Sequence, residues 1–350
     1  MRLLLVCLMI LGLPVFQCRA GDEAGLKGAV KLGVAWLVMQ QKADGSFSDG
    51  GPYPAAKTAL VMLALHDAGH HASDASTEGR ALLKSAVFLS TISGQEGCYH
   101  LKGAYVANED RSRMYGHALI TCALATVTEE IADHALRDKV RSRVQQAADF
   151  ILASQGVKKL ATDDGGWRYE GISMDSDISS TVLQLRALRA AADHAGAKVP
   201  DEAWQKAAAY VKRLSRSMGK QPDETRAMSY QFTDSRADLS TTGMGVHALQ
   251  CCALPHAFEA DAGRVFIDRQ EPRDYKGGFP FWAMSHCSHA MLEGSGEQKA
   301  RFVGRMARLL LPKQKPEGSW RSDKAAEKQS GDIYATALVI SALGPWTPGD

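Results

Sequence analysis

The sequence has no marked excess of charge of either sign, and it has few prolines. Its 350 residues include 41 Lys and Arg against 39 Asp and Glu, which leaves a net charge of +2. A chain so close to balance gives no reason to expect nucleic acid or a strongly anionic membrane as a partner. Only 12 prolines accompany 32 glycines, which indicates many turns rather than a disordered chain.

Cysteine is also scarce, and no two cysteines are spaced as CxxC. Five lie after residue 20, at positions Cys98, Cys122, Cys251, Cys252 and Cys287. A chain of this length buries a core without disulfides. Four of the five fall within apolar runs and are expected to be buried free thiols, although the count leaves room for one disulfide.

Long apolar segments are missing after the N-terminus, so no membrane span is predicted there. The N-terminus itself has Arg2 followed by an apolar run over 3–16, with Cys18 and Ala20 at positions −3 and −1 of a cleavage site. This pattern predicts a signal peptide over 1–20, a domain over 21–350 and a secreted or periplasmic location. A lipoprotein acceptor at Cys18 is the weaker interpretation, because no small residue precedes it.

Turns that carry an aromatic residue recur along the chain at intervals of roughly 40–70 residues, the range of helix-pair repeats. They are Gly45-Ser46-Phe47, Gly97-Cys98-Tyr99, Gly166-Trp167, Tyr230-Gln231-Phe232, Gly278-Phe279 and Gly318-Ser319-Trp320. One amphipathic helix precedes each turn and a more apolar helix follows it. The helices before the turns are predicted over 26–41, 80–92, 144–154, 203–217, 258–269 and 301–311. Those after the turns are predicted over 55–68, 115–127, 179–192, 240–254, 284–292 and 333–343.

One such hairpin cannot cover its own apolar faces, so the hairpins must stack. The sequence therefore predicts an all-α fold, an (α/α)6 toroid of about twelve helices in six hairpin repeats, and a monomer. No strand pattern is evident. The stretches 94–113 and 219–238 are predicted to be irregular rims or lids.

The turns share a second element, a glutamine ahead of the glycine. Gln41 precedes Gly45, and Gln314 precedes Gly318, by four residues, and Gln155 precedes Gly166-Trp167 with an insertion between. This resembles the QW repeat of squalene and oxidosqualene cyclases and, more loosely, the repeats of protein prenyltransferase β subunits. The resemblance implies that the glutamine caps a helix end while the aromatic packs over the turn, joining neighbouring hairpins.

The same resemblance implies a catalytic acid in an Asp-x-Asp-Asp-Thr motif at the start of an inner helix. Residues 177–181 are similar to that motif, but Ser179 and Ser180 replace its second and third acids. A serine hydroxyl cannot protonate an alkene. In the prenyltransferases a histidine in an Asp-Phe-Tyr-His-Thr-Cys-type segment binds zinc, and Ala335 replaces it here. The resemblance thus implies the fold and an apolar ligand, with no cofactor predicted and no particular reaction.

Since the inner helices are parallel, their N-termini converge at one end of the toroid. The candidate ligand-binding residues at these openings are Lys57, Tyr115, His117, Trp167, Ser179, Ser180, Thr181, Asp238, Trp282, His286, Asp332 and Tyr334. An acid–base pair of His117 with Asp175 or Asp177 is the catalytic hypothesis. The alternative is that the Asp, Ser and Thr residues cap helices and that His117 is a core histidine.

A metal site is not predicted. His286 and His289 lie three residues apart on a helix, but no further ligands stand close to them in the sequence. His70-His71 follows a helix end and is interpreted as a loop.

The leading functional hypothesis is a central cavity that binds an elongated apolar or isoprenoid-like molecule, with lyase or isomerase chemistry left open. Trp167, Tyr169, Phe279, Phe281, Trp282 and Tyr334 are its candidate aromatic lining. Two alternatives are a non-catalytic scaffold with protein-binding rims and a glycan-processing toroid similar to polysaccharide lyases.

Overall fold

The computed structural model describes residues 20–49, 53–92, 113–218, 225–271, 275 and 277–347. The signal-peptide prediction, Cys18, the turn at Gly97-Cys98-Tyr99 and nearly all of the 94–113 rim lie outside these ranges. No helix within them is both long enough and apolar enough to cross a bilayer.

Six hairpins, each an outer and an inner helix, make up most of the described chain. The outer helices are α1 (Ala20–Met39), α3 (Thr77–Thr91), α5 (His134–Gln155), α7 (Asp201–Arg213), α9 (Phe258–Arg269) and α11 (Gly296–Leu310). The inner helices are α2 (Pro54–Asp67), α4 (Arg113–Val127), α6 (Ile178–Ala195), α8 (Leu239–Cys251), α10 (Pro280–Met291) and α13 (Gly331–Leu343). A short helix, α12 (Ala325–Lys328), and 3-10 turns at Thr128–Glu130, Leu311–Lys313 and Gly344–Trp346 complete the helical structure.

The inner helices form a closed ring. Each packs on the next in the order α2, α4, α6, α8, α10, α13, and α13 packs back on α2. Their side chains are buried almost all round, as in α8 and α13, whereas the outer helices keep one exposed face. The predicted all-α (α/α)6 toroid is confirmed.

Three glutamines join neighbouring hairpins in the same way. The side-chain nitrogens of Gln41, Gln155 and Gln314 each donate to the carbonyl of the turn glycine that follows, at 3.2, 2.9 and 2.9 Å. The same nitrogens donate to a carbonyl of an adjacent outer helix, near its start at Ala81 and Ala203 and at mid-helix at Ala29, at 2.8, 3.0 and 2.8 Å. Each amide thus ties the end of one outer helix to another.

The glycine in these turns is required by its surroundings. Gly45, Gly165 and Gly318 have φ angles of 89°, 92° and 101°, a region that side chains disfavour. A Cβ at these positions would lie 2.2–2.5 Å from a carbonyl oxygen of the adjacent outer helix. The turn can approach that helix only without a side chain.

The fourth hairpin differs from expectation. The helix predicted over 203–217 ends at Arg213, and a small antiparallel sheet follows, of β1 (Ser215–Ser217), β2 (Arg226–Ser229) and β3 (Ala237–Asp238). The prediction of an irregular 219–238 rim without strands was therefore wrong for its described part. These strands have two to four residues, too short for an alternating pattern to show in the sequence.

The aromatic of the fourth turn was also assigned wrongly. In three turns the backbone N–H of Phe47, Trp167 or Trp320 donates to a threonine hydroxyl of the inner helix. In the fourth, Met228 takes this place and donates to Thr242 at 3.0 Å. Tyr230 instead reaches the interior of the ring, where it lines the cavity described below.

Candidate functional site: a tyrosine-lined cavity

A cavity of about 940 Å³ lies at the end of the ring where the inner helices begin. Residues at or just before the start of all six inner helices line it, as the parallel arrangement predicts. It therefore occupies the place expected for the ligand site.

Six tyrosines dominate the described wall of this cavity. They are Tyr53, Tyr115, Tyr169, Tyr230, Tyr275 and Tyr334. The hydroxyls of Tyr169 and Tyr230 lie 2.5 Å apart, and the Tyr115 hydroxyl donates to Ser179 Oγ at 2.6 Å. The rings of Tyr115 and Trp282 stack with centroids 6.3 Å apart.

Four of these phenols are held in the neutral form. Burial, reinforced by the nearby Asp177 carboxylate, raises the pKa of Tyr115 and of Tyr230 well above the usual value for tyrosine. Burial likewise raises the pKa of Tyr275 and Tyr334. These side chains therefore offer ring faces and neutral hydroxyls rather than phenolate charge.

Apolar side chains fill much of the remaining wall. Leu60, Leu119, Ile120 and Met244 come from the second turns of α2, α4 and α8. Leu60, Leu119 and Met244 lie three or four residues after Lys57, Tyr115 and Ser240 at the helix starts, so the same helix face continues from the mouth into the cavity.

The charged residues in the described cavity wall are Lys57, Asp234, Arg236 and Asp238, and each has a partner within the protein. Lys57 Nζ lies 2.6 Å from Asp49 Oδ1. The Asp238 carboxylate accepts from the backbone N–H of Thr241 at 2.9 Å in a capping box at the start of α8. Asp234 accepts from the backbone N–H of Arg236 at 2.9 Å.

Asp177 lies outside this lining. It is fully buried at the N-cap of α6, where it accepts from Ser180 N at 2.7 Å, from Ser180 Oγ at 2.9 Å and from Arg168 Nη1 at 3.0 Å. Burial raises the pKa of this carboxyl to about 6, although the hydrogen bonds and Arg168 oppose the shift. Asp175 pairs with the same guanidinium at 3.2 Å and is half-exposed.

The predicted ligand-binding residues divide into two groups. Those that line the cavity are Lys57, Tyr115, Ser179, Asp238, Trp282 and Tyr334. Those that do not are His117, Trp167, Ser180, Thr181, His286 and Asp332. Among the other predicted aromatics, Tyr169 and Phe279 line it and Phe281 is in the core.

The assignment of His117 as an acid–base residue is not supported by its position. Its side chain is fully buried between α4 and α5, with Nε2 3.1 Å from the Ala147 carbonyl oxygen and the ring against Phe150. It points from α4 towards the outer helix, so the core-histidine alternative describes it correctly. A role with Asp175 or Asp177 across the cavity is inconsistent with this placement.

Four more predicted residues make hydrogen bonds or ion pairs that connect parts of the fold. Trp167 donates from Nε1 to the Ile151 carbonyl at 2.8 Å, and Thr181 accepts from the Trp167 backbone. Ser180 binds Asp177. Asp332 pairs with Lys315 at 2.8 Å.

His286 lies in a buried histidine group below the cavity wall. Its Nδ1 is 3.2 Å from His247 Nδ1, and its ring contacts Trp282 with centroids 4.9 Å apart. Burial lowers the pKa of His247 and His286 well below the usual histidine value, so both are neutral. His289 stacks on His247 and approaches Asp67 at 3.6 Å.

Sequence reasoning missed Tyr53, Tyr230 and Tyr275 as lining residues, and it missed Arg168 as the partner of Asp175 and Asp177. Helical spacing from Lys57 could have indicated Leu60, and spacing from Ser240 could have indicated Met244. No comparable signal marks Tyr53 or Tyr275, which precede inner helices α2 and α10.

Comparison with known proteins shows likeness in structure alone. No family model and no curated protein sequence matches the chain.

Solved structures do share its fold. A variant of a type II terpene cyclase from Scytonema, in complex with its product merosterolic acid A, has 16% identity and a TM-score of 0.54, over 93% of this chain and 99% of that one. A protein from Actinoplanes has 16% identity and a TM-score of 0.58, over 93% and 99%. A glycosidase variant has 13% identity and a TM-score of 0.57, over 94% and 98%. At such identities the likeness shows only that this chain shares the helical toroid fold of these structures.

Proposed function

We propose that this protein binds an elongated, mainly apolar molecule of the isoprenoid class in the tyrosine-lined cavity. The observation that carries the proposal is the cavity itself. Its volume of about 940 Å³ is near the upper end of the roughly 300–1,000 Å³ of ligand pockets. The toroid of the Scytonema cyclase, solved with merosterolic acid A, supports this use of the fold.

The wall suits such a ligand in two ways. Leu60, Leu119 and Met244 give an apolar surface, and tyrosine ring faces pack well against unsaturated chains. The hydroxyls of Tyr115 and Tyr169 supply hydrogen bonds for a polar end group.

The proposal assigns binding and no chemical step. Asp177, which matches the first acid of the cyclase-like motif, has no exposed surface and its oxygens accept hydrogen bonds from Ser180 and Arg168. We assign it to positioning the start of α6 and the tyrosines beside it.

We further propose that residues 1–20 direct export and that 21–350 act as one monomeric domain outside the cytoplasm. The apolar run over 3–16 and the small residue at position 20 support this. N-terminal sequencing of the protein recovered from the periplasm or medium tests it, with residue 21 expected first.

The binding proposal is tested by extracting the natively purified protein and identifying retained molecules by mass spectrometry. Titration with prenyl alcohols of increasing length then gives affinities. We expect tighter binding as the chain lengthens, until the cavity is filled. An affinity independent of chain length would contradict an apolar site.

Leu60→Trp is the variant that fills the cavity, since Leu60 is buried in its wall. Leu160→Trp, at a site 73% exposed, is the matched control. Loss of binding in the first alone supports the proposal, with circular dichroism checking that the variant folds.

A second candidate is glycan processing. Asp234 and Asp238 both line the cavity, and paired carboxyl groups are the usual machinery of glycoside hydrolysis. A glycosidase also shares the fold. Release of reducing sugar from a polysaccharide panel, abolished in Asp234→Asn, would favour this candidate over the lipid site.

A further inference from the structure

Two histidines and a glutamate meet at the end of the toroid opposite the cavity. His66 lies in the last turn of α2, His71 in the turn that follows it, and Glu130 at the end of the 3-10 turn after α4. The cavity is at the starts of the inner helices and this cluster is at their ends. It is therefore separate from the proposed ligand site.

The spacing of the three side chains matches that of metal ligands. His71 Nδ1 lies 2.8 Å and His66 Nε2 lies 3.5 Å from Glu130 Oε1, and the three ligand atoms all lie within 4.8 Å of one another. Two donors about 2.0–2.1 Å from a tetrahedral zinc ion stand about 3.3 Å apart. The two separations from Glu130 Oε1 bracket that value, and the two imidazole nitrogens lie within 4.8 Å of each other.

Surrounding contacts orient the cluster. Glu130 Oε2 accepts from the backbone N–H of Ala72 at 2.7 Å, which leaves Oε1 directed at both histidines. The backbone N–H of His71 donates to Asp74 at 2.8 Å and fixes the turn. The two imidazoles meet edge to face with centroids 5.2 Å apart. Such outer contacts hold ligands in place before a metal arrives.

The cluster is also accessible and negatively charged at its centre. About half of the His71 side chain is exposed, against 18% for Glu130. Glu130 Oε1 lies between the two imidazoles, within 3.5 Å of a ring nitrogen of each. A cation can reach it from solvent and displace a proton from the imidazoles.

We propose that His66, His71 and Glu130 form a binding site for a divalent transition metal of the zinc type, with a fourth position left to water. Two imidazoles and one carboxylate are a donor set that zinc uses when one position stays open. The three ligands come from three segments, so the bound ion would fasten the end of α2 to the end of α4.

The test is equilibrium dialysis of tag-free protein, first stripped with a chelator, against zinc chloride, with the metal measured by mass spectrometry. We expect one zinc ion attributable to this cluster and a rise in Tm, because the ion binds the folded state. Substituting cobalt should give the intense visible absorption of a tetrahedral site.

His71→Asn and Glu130→Gln should each weaken zinc binding by at least about tenfold. His70→Asn, a change at the adjacent histidine outside the cluster, should leave it unchanged. His71 is half-exposed, so its variant is expected to fold. Absence of zinc binding, or equal binding by His71→Asn and His70→Asn, would overturn the proposal and leave a carboxylate–imidazole ion-pair network.

Discussion

The side-chain nitrogen of Gln314 lies 2.8 Å from the carbonyl oxygen of Ala29, although 285 residues separate the two. This hydrogen bond joins the last outer helix to the first. It repeats the contacts of Gln41 with Ala81 and of Gln155 with Ala203. The contact that closes the ring thus has the same form as two contacts between neighbouring hairpins within it.

Gln314→Ala should lower the free energy of unfolding by about 1–3 kcal/mol, because the carbonyl groups of Ala29 and Gly318 lose a partner. Gln40→Ala is the control, since Gln40 directly follows α1 and its side chain donates back to the Trp36 carbonyl of that helix. This change should stay within about 0.5 kcal/mol. Urea titration measures both. Equal effects would mean that the ring-closing bond adds nothing to stability.

Gly165→Ala should destabilise the fold more than Gly196→Ala. Both glycines have positive φ, 92° and 66°, but a Cβ at Gly165 would lie 2.2 Å from the Lys206 carbonyl oxygen while one at Gly196 meets nothing within 4 Å. The Gly196 change should cost about 1–2 kcal/mol from backbone strain alone, and the Gly165 change more than about 3 kcal/mol. Thermal unfolding of the two variants separates the cost of backbone strain from the cost of steric overlap. Similar losses of stability in both variants would refute the packing argument.

The stability contributed by Asp177 should fall as pH rises. Its pKa is about 6 in the folded protein against 3.8 for an unperturbed aspartate. Between these two values, the carboxyl of the folded protein therefore keeps a proton that the unfolded chain has released. Its contribution is full below about pH 4 and is lost as pH rises through about 6.

The measurement compares the wild type with Asp177→Asn from pH 4 to pH 7. Their difference in unfolding free energy should shrink by up to about 3 kcal/mol over that range. Asp175→Asn, which alters the more exposed partner of Arg168, serves as the control. A difference that widens with pH would show that the native site prefers the carboxylate.

Thiol reagents should leave Cys122, Cys251, Cys252 and Cys287 unmodified in the native protein. All four are free and buried, and burial raises the pKa of each thiol, which removes the reactive thiolate. In denaturant all four thiols should become accessible and react with the reagent. Rapid native labelling of Cys287 would place that residue on an accessible surface.

The fold could be predicted because its signals are local. Periodicity along each helix and the spacing of Gln155 from Gly166-Trp167 depend on neighbours in sequence. The helix bounds at Phe258–Arg269 agree with the prediction at both ends. The strand Arg226–Ser229 is stabilised by pairing with Ser215–Ser217, a tertiary contact that leaves no pattern of its own.

The cavity could be predicted only in part. Helix starts identify which end of the ring holds it, so Lys57, Tyr115 and Tyr334 were found. Which side of a helix start faces inward depends on helix rotation, and His117 falls on the outer side although it is two residues from Tyr115. Residues two positions apart in the sequence differ by about 200° around a helix, so their side chains face nearly opposite directions.

In an open stack of helical hairpins the first and last members need polar outer faces, because nothing covers them. Here α1 packs on α11 and α13, and α13 packs on α2, so none of the six described hairpins is a terminal one. Within the described residues, the ring of hairpins has no end from which helices can fray one hairpin at a time. Unfolding any one hairpin would expose the apolar faces of both its neighbours. We therefore expect the six hairpins to unfold as one cooperative unit.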